Sequence, residues 1–378
     1  MYRILCILVA IIAFSSCNNK KGQSTDTGSI TSGDSALIQI KYAKGLAISY
    51  HGNYRLVDIS DPEGKNETVY HYALIAKGQQ AEDIPKEYTI IETPVEKVIC
   101  MTTLQLSNFI KLDALDKVTG MPSTHYLFNE QMKKRIEEGK TARIGIEGNF
   151  DNELVLALAP DLILVSPFKR GGYESIRDLD VPLVSFLGYK ETTPLGQAEW
   201  IKFTAMLLGM EDKANTLFDA IEKRYNELVA LTASVSVKPV VLSGEMRSGN
   251  WYVVGGKSYL AQQFRDAGAE YFLKDNDETG GINMDFESVY SRGGNAGYWR
   301  LLVSHTGDYS YDALQQSDAR YADFKAFKEK KVVYCNLRQK PFYENTPVEP
   351  EVVLADLIKA FYPGLLPDYQ PVYYEMLK

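Results

Sequence analysis

The chain has 378 residues, 45% of them hydrophobic and 24% charged. This is an ordinary globular composition and more sequence than one small core holds, so two lobes of common domain size are expected. The formal charge of -8 excludes a general nucleic-acid binder, since a phosphate backbone demands a basic face, but it leaves a binding cleft open because a few local cations outweigh a distant acidic surface.

Residues 1–17, MYRILCILVAIIAFSSC, carry one early cation, Arg3, followed by eleven apolar residues from Ile4 to Phe14. That run is short for a bilayer span and has the form of a secretory h-region. Ser15 and Ser16 before Cys17 resemble a bacterial lipobox, with Phe14 where leucine is usual. Cys17 then becomes a lipid anchor, and acyl chains rather than a helix hold the protein to a membrane. Residues 18–35 are polar, rich in Gly, Ser and Thr and aperiodic, which predicts a flexible tether. Of the remaining cysteines, Cys100 and Cys335 fall in different lobes and are expected as free thiols.

The N-terminal lobe is placed at 36–195. Alternating segments up to about residue 78 break at Gly45, Gly52-Asn53 and Asp61-Pro62, which predicts a small antiparallel β meander. His51 and His71 are assigned to its half-buried face rather than to a site. KVICM (97–101) and KVTGM (117–121) are strands flanking a helix around Thr103 to Leu115. In RIGIEGNFDNELVLALAPDLILVS (143–166), Leu154, Val155, Leu158 and Ala159 share a helical face, with Asp151 or Asn152 as N-cap. Pro160 stops that helix, and LILVS is wholly apolar, as a parallel strand covered on both faces should be. Ligands on such sheets sit past the carboxyl ends of the strands. Those ends carry Thr102-Thr103, Ser123-Thr124-His125-Tyr126, Phe168-Lys169-Arg170 and Gly188-Tyr189-Lys190.

Linking helices are placed at 196–235, the second with an apolar stripe of Leu217, Phe218, Ile221, Tyr225 and Leu228. In the C-terminal lobe, 236–378, PVVLSGE and WYVVG are predicted strands. DFESVYSRGG into WRLLVS repeats the helix-strand unit that ends at residue 166, and VEPEVVLADLIKAFYPGLLPDYQPVYY (348–374) is a closing helix and tail.

The order of these elements resembles the iron-complex and vitamin B12 class of periplasmic substrate-binding lipoproteins of ABC importers, and its Bacteroides-type iron-complex members in particular. VICMTTLQLSNFIKLDALDKVTGM parallels that family's strand, serine/threonine loop, helix and second strand. NFDNELVLALAPDLILV carries its N-x-E helix start and its A-P-D-L strand entry. The resemblance covers about 40–378. It implies an α/β protein of two Rossmann-like lobes joined by a long helix, small lobe closure, and an ABC permease as partner. It also implies that Glu153 and Glu287, near the start of the corresponding helix in each lobe, pair with permease arginines. The alternative for each is simple stabilisation by the helix dipole.

Ligand contacts are expected from Tyr126, Phe168, Lys169, Arg170, Tyr189, Arg247, Trp251, Tyr252, His305 and Arg338, all near predicted strand ends. Arginine offers bidentate, charge-assisted bonds to carboxylate or hydroxamate-type oxygens, and aromatic faces exclude water. No HxH or HExxH spacing is present, so a preassembled chelate is expected rather than a bare metal ion. VVGGKS ends like a P-loop but has Trp251 where the first glycine belongs. The expected cargo is a siderophore-like ferric chelate bound by a monomer without a cofactor of its own and without nucleic acid. A corrinoid, a haem, a metal-chelatase-like enzyme and a receptor working without a permease stand as alternatives.

Overall fold

The computed structural model describes residues 37–124, 126–146, 148–167 and 173–378. Cys17, the tether, His125, Phe168, Lys169 and Arg170 lie outside the described residues. The N-terminal sheet contains β1 (Leu46–His51), β2 (Tyr54–Ile59), β3 (Tyr70–Ala76) and β4 (Thr89–Thr93). Gly52, at φ 53°, makes the tight turn that sets Leu46 opposite Ile59. The first three strands are antiparallel, as the alternation predicts, but β4 runs parallel to β3. The long segment between β3 and β4 supplies the crossover a parallel pair requires, so the meander is three strands with a parallel return.

In the N-terminal lobe the chain forms β5 (Val98–Cys100), α1 (Thr103–Lys111), β6 (Val118–Met121), α2 (Glu130–Glu137) and β7 (Ala142–Arg143). A hairpin of β8 (Gly145–Ile146) and β9 (Asn149–Phe150) leads into α3 (Asn152–Leu158), β10 (Leu162–Val165), α4 (Glu174–Arg177) and β11 (Leu183–Ser185). The sheet order is β11-β10-β5-β6-β7, all parallel. Alternation on its central strands divides the core. Val98, Cys100, Leu162 and Leu164 join the main cluster, while Ile99, Met101, Ile163 and Val165 build a second cluster on the opposite face. Both faces are covered, which is why these strands are apolar throughout.

Helix α5 (Pro194–Leu208) is capped by Thr193 and ends at Gly209, whose φ of 68° turns the chain into α6 (Glu211–Thr232). At 22 residues, α6 is about 33 Å long. Phe218, Ile221, Tyr225 and Leu228 are buried as the stripe predicts, Ala214 joins them, and Leu217 is half-buried. Two buried carboxylates fasten the N-terminal segment here. Glu199 of α5 accepts the backbone N–H groups of Lys41, Tyr42 and Ala43 and the Lys202 ammonium. Glu191 accepts from Lys44, Gly45 and the Trp200 indole. Charges withdrawn from water this far are tolerable only when paired and hydrogen-bonded in this way.

The C-terminal lobe comprises β12 (Val240–Ser243), β13 (Glu245–Arg247), β14 (Asn250–Val254), α7 (Tyr259–Asp266), β15 (Glu270–Tyr271) and β16 (Gly281–Met284). It continues with α8 (Phe286–Gly293), β17 (Tyr298–Val303), α9 (Tyr311–Ser317), α10 (Lys325–Lys328) and β18 (Val332–Asn336). It closes with α11 (Phe342–Asn345), α12 (Pro350–Phe361) and β19 (Glu375–Met376). The main sheet has the order β15-β12-β17-β18-β19, parallel except for β19, and β13-β14-β16 form a separate antiparallel sheet. Cys100 on β5 and Cys335 on β18 are free and buried. Burial pushes both thiols up, Cys335 to about 12. No helix among the described residues is long and apolar enough to cross a membrane.

Candidate ligand cleft and docking surface

Each main sheet reverses its strand order once, between β5 and β10 in the first lobe and between β12 and β17 in the second. A crevice forms beyond the carboxyl ends of strands at such a reversal. In the first lobe, Gln105 locks the two strand ends together. Its Oε1 accepts from the backbone of Met101 at 2.7 Å and of Thr102 at 3.2 Å, and its Nε2 donates to Ser166 Oγ at 3.0 Å. Thr102 returns a capping bond to the Gln105 N–H. Beside this lock lies a cavity of ≈ 220 Å³ lined by Thr102, Thr103, Ser123, Thr124, Phe150 and Tyr173, with Met101, Met121 and Pro122. Hydroxyls and aromatic rings recognise the organic periphery of a ligand.

At the matching place in the second lobe, Gly244 follows β12 with φ 88°, and a Cβ there would meet Tyr252 O at 2.1 Å. Glycine is required by that approach. The β13–β14 hairpin turns through Ser248 and Gly249, both at positive φ. Strand alternation then decides which side chains face out. Glu245, Arg247 and Tyr252 share one face, with Arg247 Nη2 3.1 Å from Glu245 and its guanidinium 5.5 Å from the Tyr252 ring centre. Burial raises the Glu245 carboxyl, and Arg247 pulls it back. Trp251 points the other way. It is wholly buried, donates to Ser243 O at 3.0 Å and stacks 5.6 Å from Trp299, so the expected ligand contact is a core residue. At the β17 end, Asn336 ties the His305 backbone at both N–H and carbonyl, and the His305 ring lies 5.2 Å from Tyr309. Arg338, beyond β18, is exposed.

Tyr126 faces the second lobe edge-on to Tyr343, 6.2 Å between ring centres. Next to that contact, the buried Glu344 carboxylate accepts the Phe128 and Asn129 N–H groups at 2.6 and 2.9 Å, and Lys111 of α1 meets Glu349 at 3.2 Å. These bonds tie the two lobes together. Tyr189 is half-buried beyond β11, and burial raises its hydroxyl. Sequence reasoning missed Phe150, Tyr173, Tyr343 and Glu344. The first two are aromatic residues in Gly-flanked loops, and no local pattern marks the last two.

His51 is exposed beside Ser49, and His71 bonds Asp58 at 2.7 Å, both on the N-terminal sheet. Among the described residues no three His, Cys, Asp or Glu side chains converge to hold a metal ion. The glycines of VVGGKS pack against backbone carbonyls, since a Cβ on Gly255 would sit 2.0 Å from Glu278 O and one on Gly256 2.2 Å from Leu273 O. Acceptors occupy the space a phosphate would need.

Glu153 and Glu287 are both exposed and hold the same position in α3 and α8. Each follows an aspartate N-cap by two residues, Asp151 bonding Leu154 N and Asp285 bonding Ser288 N. Each helix feeds the strand at its lobe's reversal point.

Residues 98–338 match the periplasmic binding protein family, well over half of the chain. The chain belongs to that family. This periplasmic binding protein is also similar to an uncharacterized lipoprotein of Methanocaldococcus jannaschii, 22% identical over a gapped match 388 positions long that takes in 95% of this chain and 92% of the relative. Its fold is shared with the molybdate periplasmic binding protein MolA of Haemophilus influenzae (19% identity, 74% and 90% coverage, TM-score 0.57). A periplasmic heme binding protein of Pseudomonas aeruginosa shares it too (18% identity, 74% and 96% coverage, TM-score 0.58). As a member of this family the protein is a substrate-binding protein and not an enzyme, which counts against the chelatase alternative.

Proposed function

We propose that this periplasmic binding protein captures a siderophore-like ferric chelate between its two lobes and delivers it to an ABC permease, lipid-anchored through Cys17. The observation that carries this is a strand-order reversal in each main sheet, one beside a cavity of hydroxyls and aromatic rings, the other beside the hairpin of Arg247 and Tyr252, with His305 and Arg338 following the neighbouring strands. Such groups bind the oxygens and rings of an organic chelator rather than the metal itself. Lobe boundaries at 36–195 and 236–378, with 196–235 as the link, go with this assignment, as do Tyr126, Tyr189 and the loop Phe168-Lys169-Arg170 as further contacts. The equivalent positions of Glu153 and Glu287 support docking on a permease whose two halves each present a cation, and the chain acts as a monomer. Likeness to a named lipoprotein supports the anchor. The test is a titration of the R247A/R338A variant with a ferric tricatecholate. A loss of tenfold or more in affinity is expected (about 1.4 kcal/mol or more), and unchanged affinity removes the arginines from the site.

A further inference from the structure

The N-terminal sheet precedes the family match, which begins at residue 98, yet the turn from β2 to β3 reaches both lobes. Asp61 is buried, and its carboxylate takes the Lys190 ammonium at 3.1 Å. Lys190 belongs to the loop beyond β11 that also carries Tyr189. Asp61 folds the turn by accepting the Glu63 N–H at 3.1 Å. Glu63 then accepts from Thr279 Oγ1 at 2.7 Å, and Lys65 meets Glu278 at 3.0 Å. Residues 278–280 lead into β16, where a Cβ on Gly281 would lie 2.2 Å from the Tyr252 hydroxyl. The turn therefore touches the segment of Tyr189 on one lobe and the segment under Tyr252 on the other. Burial raises the Tyr189 hydroxyl, and the carboxylates of Asp61 and Glu63 are close enough to add to the rise.

We propose that the turn 61–65 is a third wall of the ligand cleft and that Glu63 is a specificity-determining residue that selects on the charge of the cargo. Three carboxylates, Asp61, Glu63 and Glu278, stand there against two ammonium groups, Lys65 and Lys190. One net negative charge remains among these five groups, near the Gly281 end of the β14–β16 pair, while Arg247 stands at the other end of β14. A cargo is thus oriented, with its anionic pole toward Arg247 and Arg338 and a neutral or hydrogen-bond-donating pole toward Glu63. The inference rests on the cleft being the ligand site.

Two measurements test it. Hydrogen exchange of the ligand-free mature chain, wild type against E63A/K65A, reads the wall with no ligand present. Amides of residues 276–281 are expected to exchange about threefold faster in the variant, and unchanged exchange overturns the wall. Glu63→Gln keeps an acceptor for Thr279 and removes the charge. It is expected to raise the affinity for an anionic ferric tricatecholate, relative to a cationic ferric trihydroxamate, by about fivefold. An unchanged ratio overturns the selection. Should wild type bind neither complex, the ferric-chelate assignment and the charge selection fall with it, while the exchange result still decides the wall.

Discussion

Glu344 is the residue on which the meeting of the lobes can be tested most sharply. It lies on α11, 1% exposed, and its two carboxylate oxygens accept the backbone N–H groups of Phe128 and Asn129, 216 and 215 residues away. Asn129 is itself the N-cap of α2, accepting from Met132 N at 2.9 Å, so the clamp also fixes the start of that helix. Glu344→Ala strips both donors of their acceptor. Each part-buried N–H left without a partner costs about 1–3 kcal/mol. Against that stands the relief of desolvating a carboxylate, which the upward shift of Glu344 by burial records. The net expectation is a loss of about 2–4 kcal/mol. Glu344→Gln keeps one acceptor but turns an NH2 toward the second donor, and is expected to lose about half as much. Urea unfolding monitored by tryptophan fluorescence measures both, with the change read in the midpoint at constant slope. A loss under about 0.5 kcal/mol for the alanine variant, the range of an ordinary surface change, would refute the clamp.

Three further outcomes are expected. Burial lifts the Glu351 carboxyl to about 7, with Lys111, Arg224 and Glu349 nearby, and its Oε2 is buried without a hydrogen-bond partner. The folded state then holds that proton more tightly than the unfolded chain, so its contribution to stability is present at low pH and lost as pH rises through about 7. Glu351→Gln should accordingly gain about 1–2 kcal/mol at pH 8 and nothing at pH 4, by thermal unfolding at the two values. Trp251→Ala should cost about 3–5 kcal/mol as a core truncation, whereas Tyr252→Ala, 41% exposed, should leave stability nearly unchanged in the same assay while weakening ligand binding. Reversal of Glu153 and Glu287 to lysine should abolish uptake in cells without altering ligand affinity in solution, and uptake at the wild-type rate would argue for another docking surface.

The frame of the site was legible because it depends on short-range chemistry. LILV and VIC are apolar at every position since both faces of a parallel sheet are covered. Asp151 marks a helix start by a cap that few other residues provide. What failed to show in the sequence depends on long-range pairing. Trp251 and Tyr252 are neighbours of similar character, and only the register of Trp251 opposite Met284 and Met246 decides which is inside. The parallel return of β4 follows from a partner that no local pattern names. Tyr343 and Glu344 sit in PFYENTP, a proline-bounded stretch without periodicity, and gain their roles solely from the opposite lobe. The same is true of Glu63, whose partner Thr279 is 216 residues distant.

Native mass spectrometry of the protein purified from its own host decides which cargo the two lobes hold. One ferric chelate per chain, released on unfolding and replaceable by added ferric complex, is the predicted result. A haem or corrinoid in its place, or a chain that stays empty after incubation with ferric tricatecholate and trihydroxamate complexes, would contradict it.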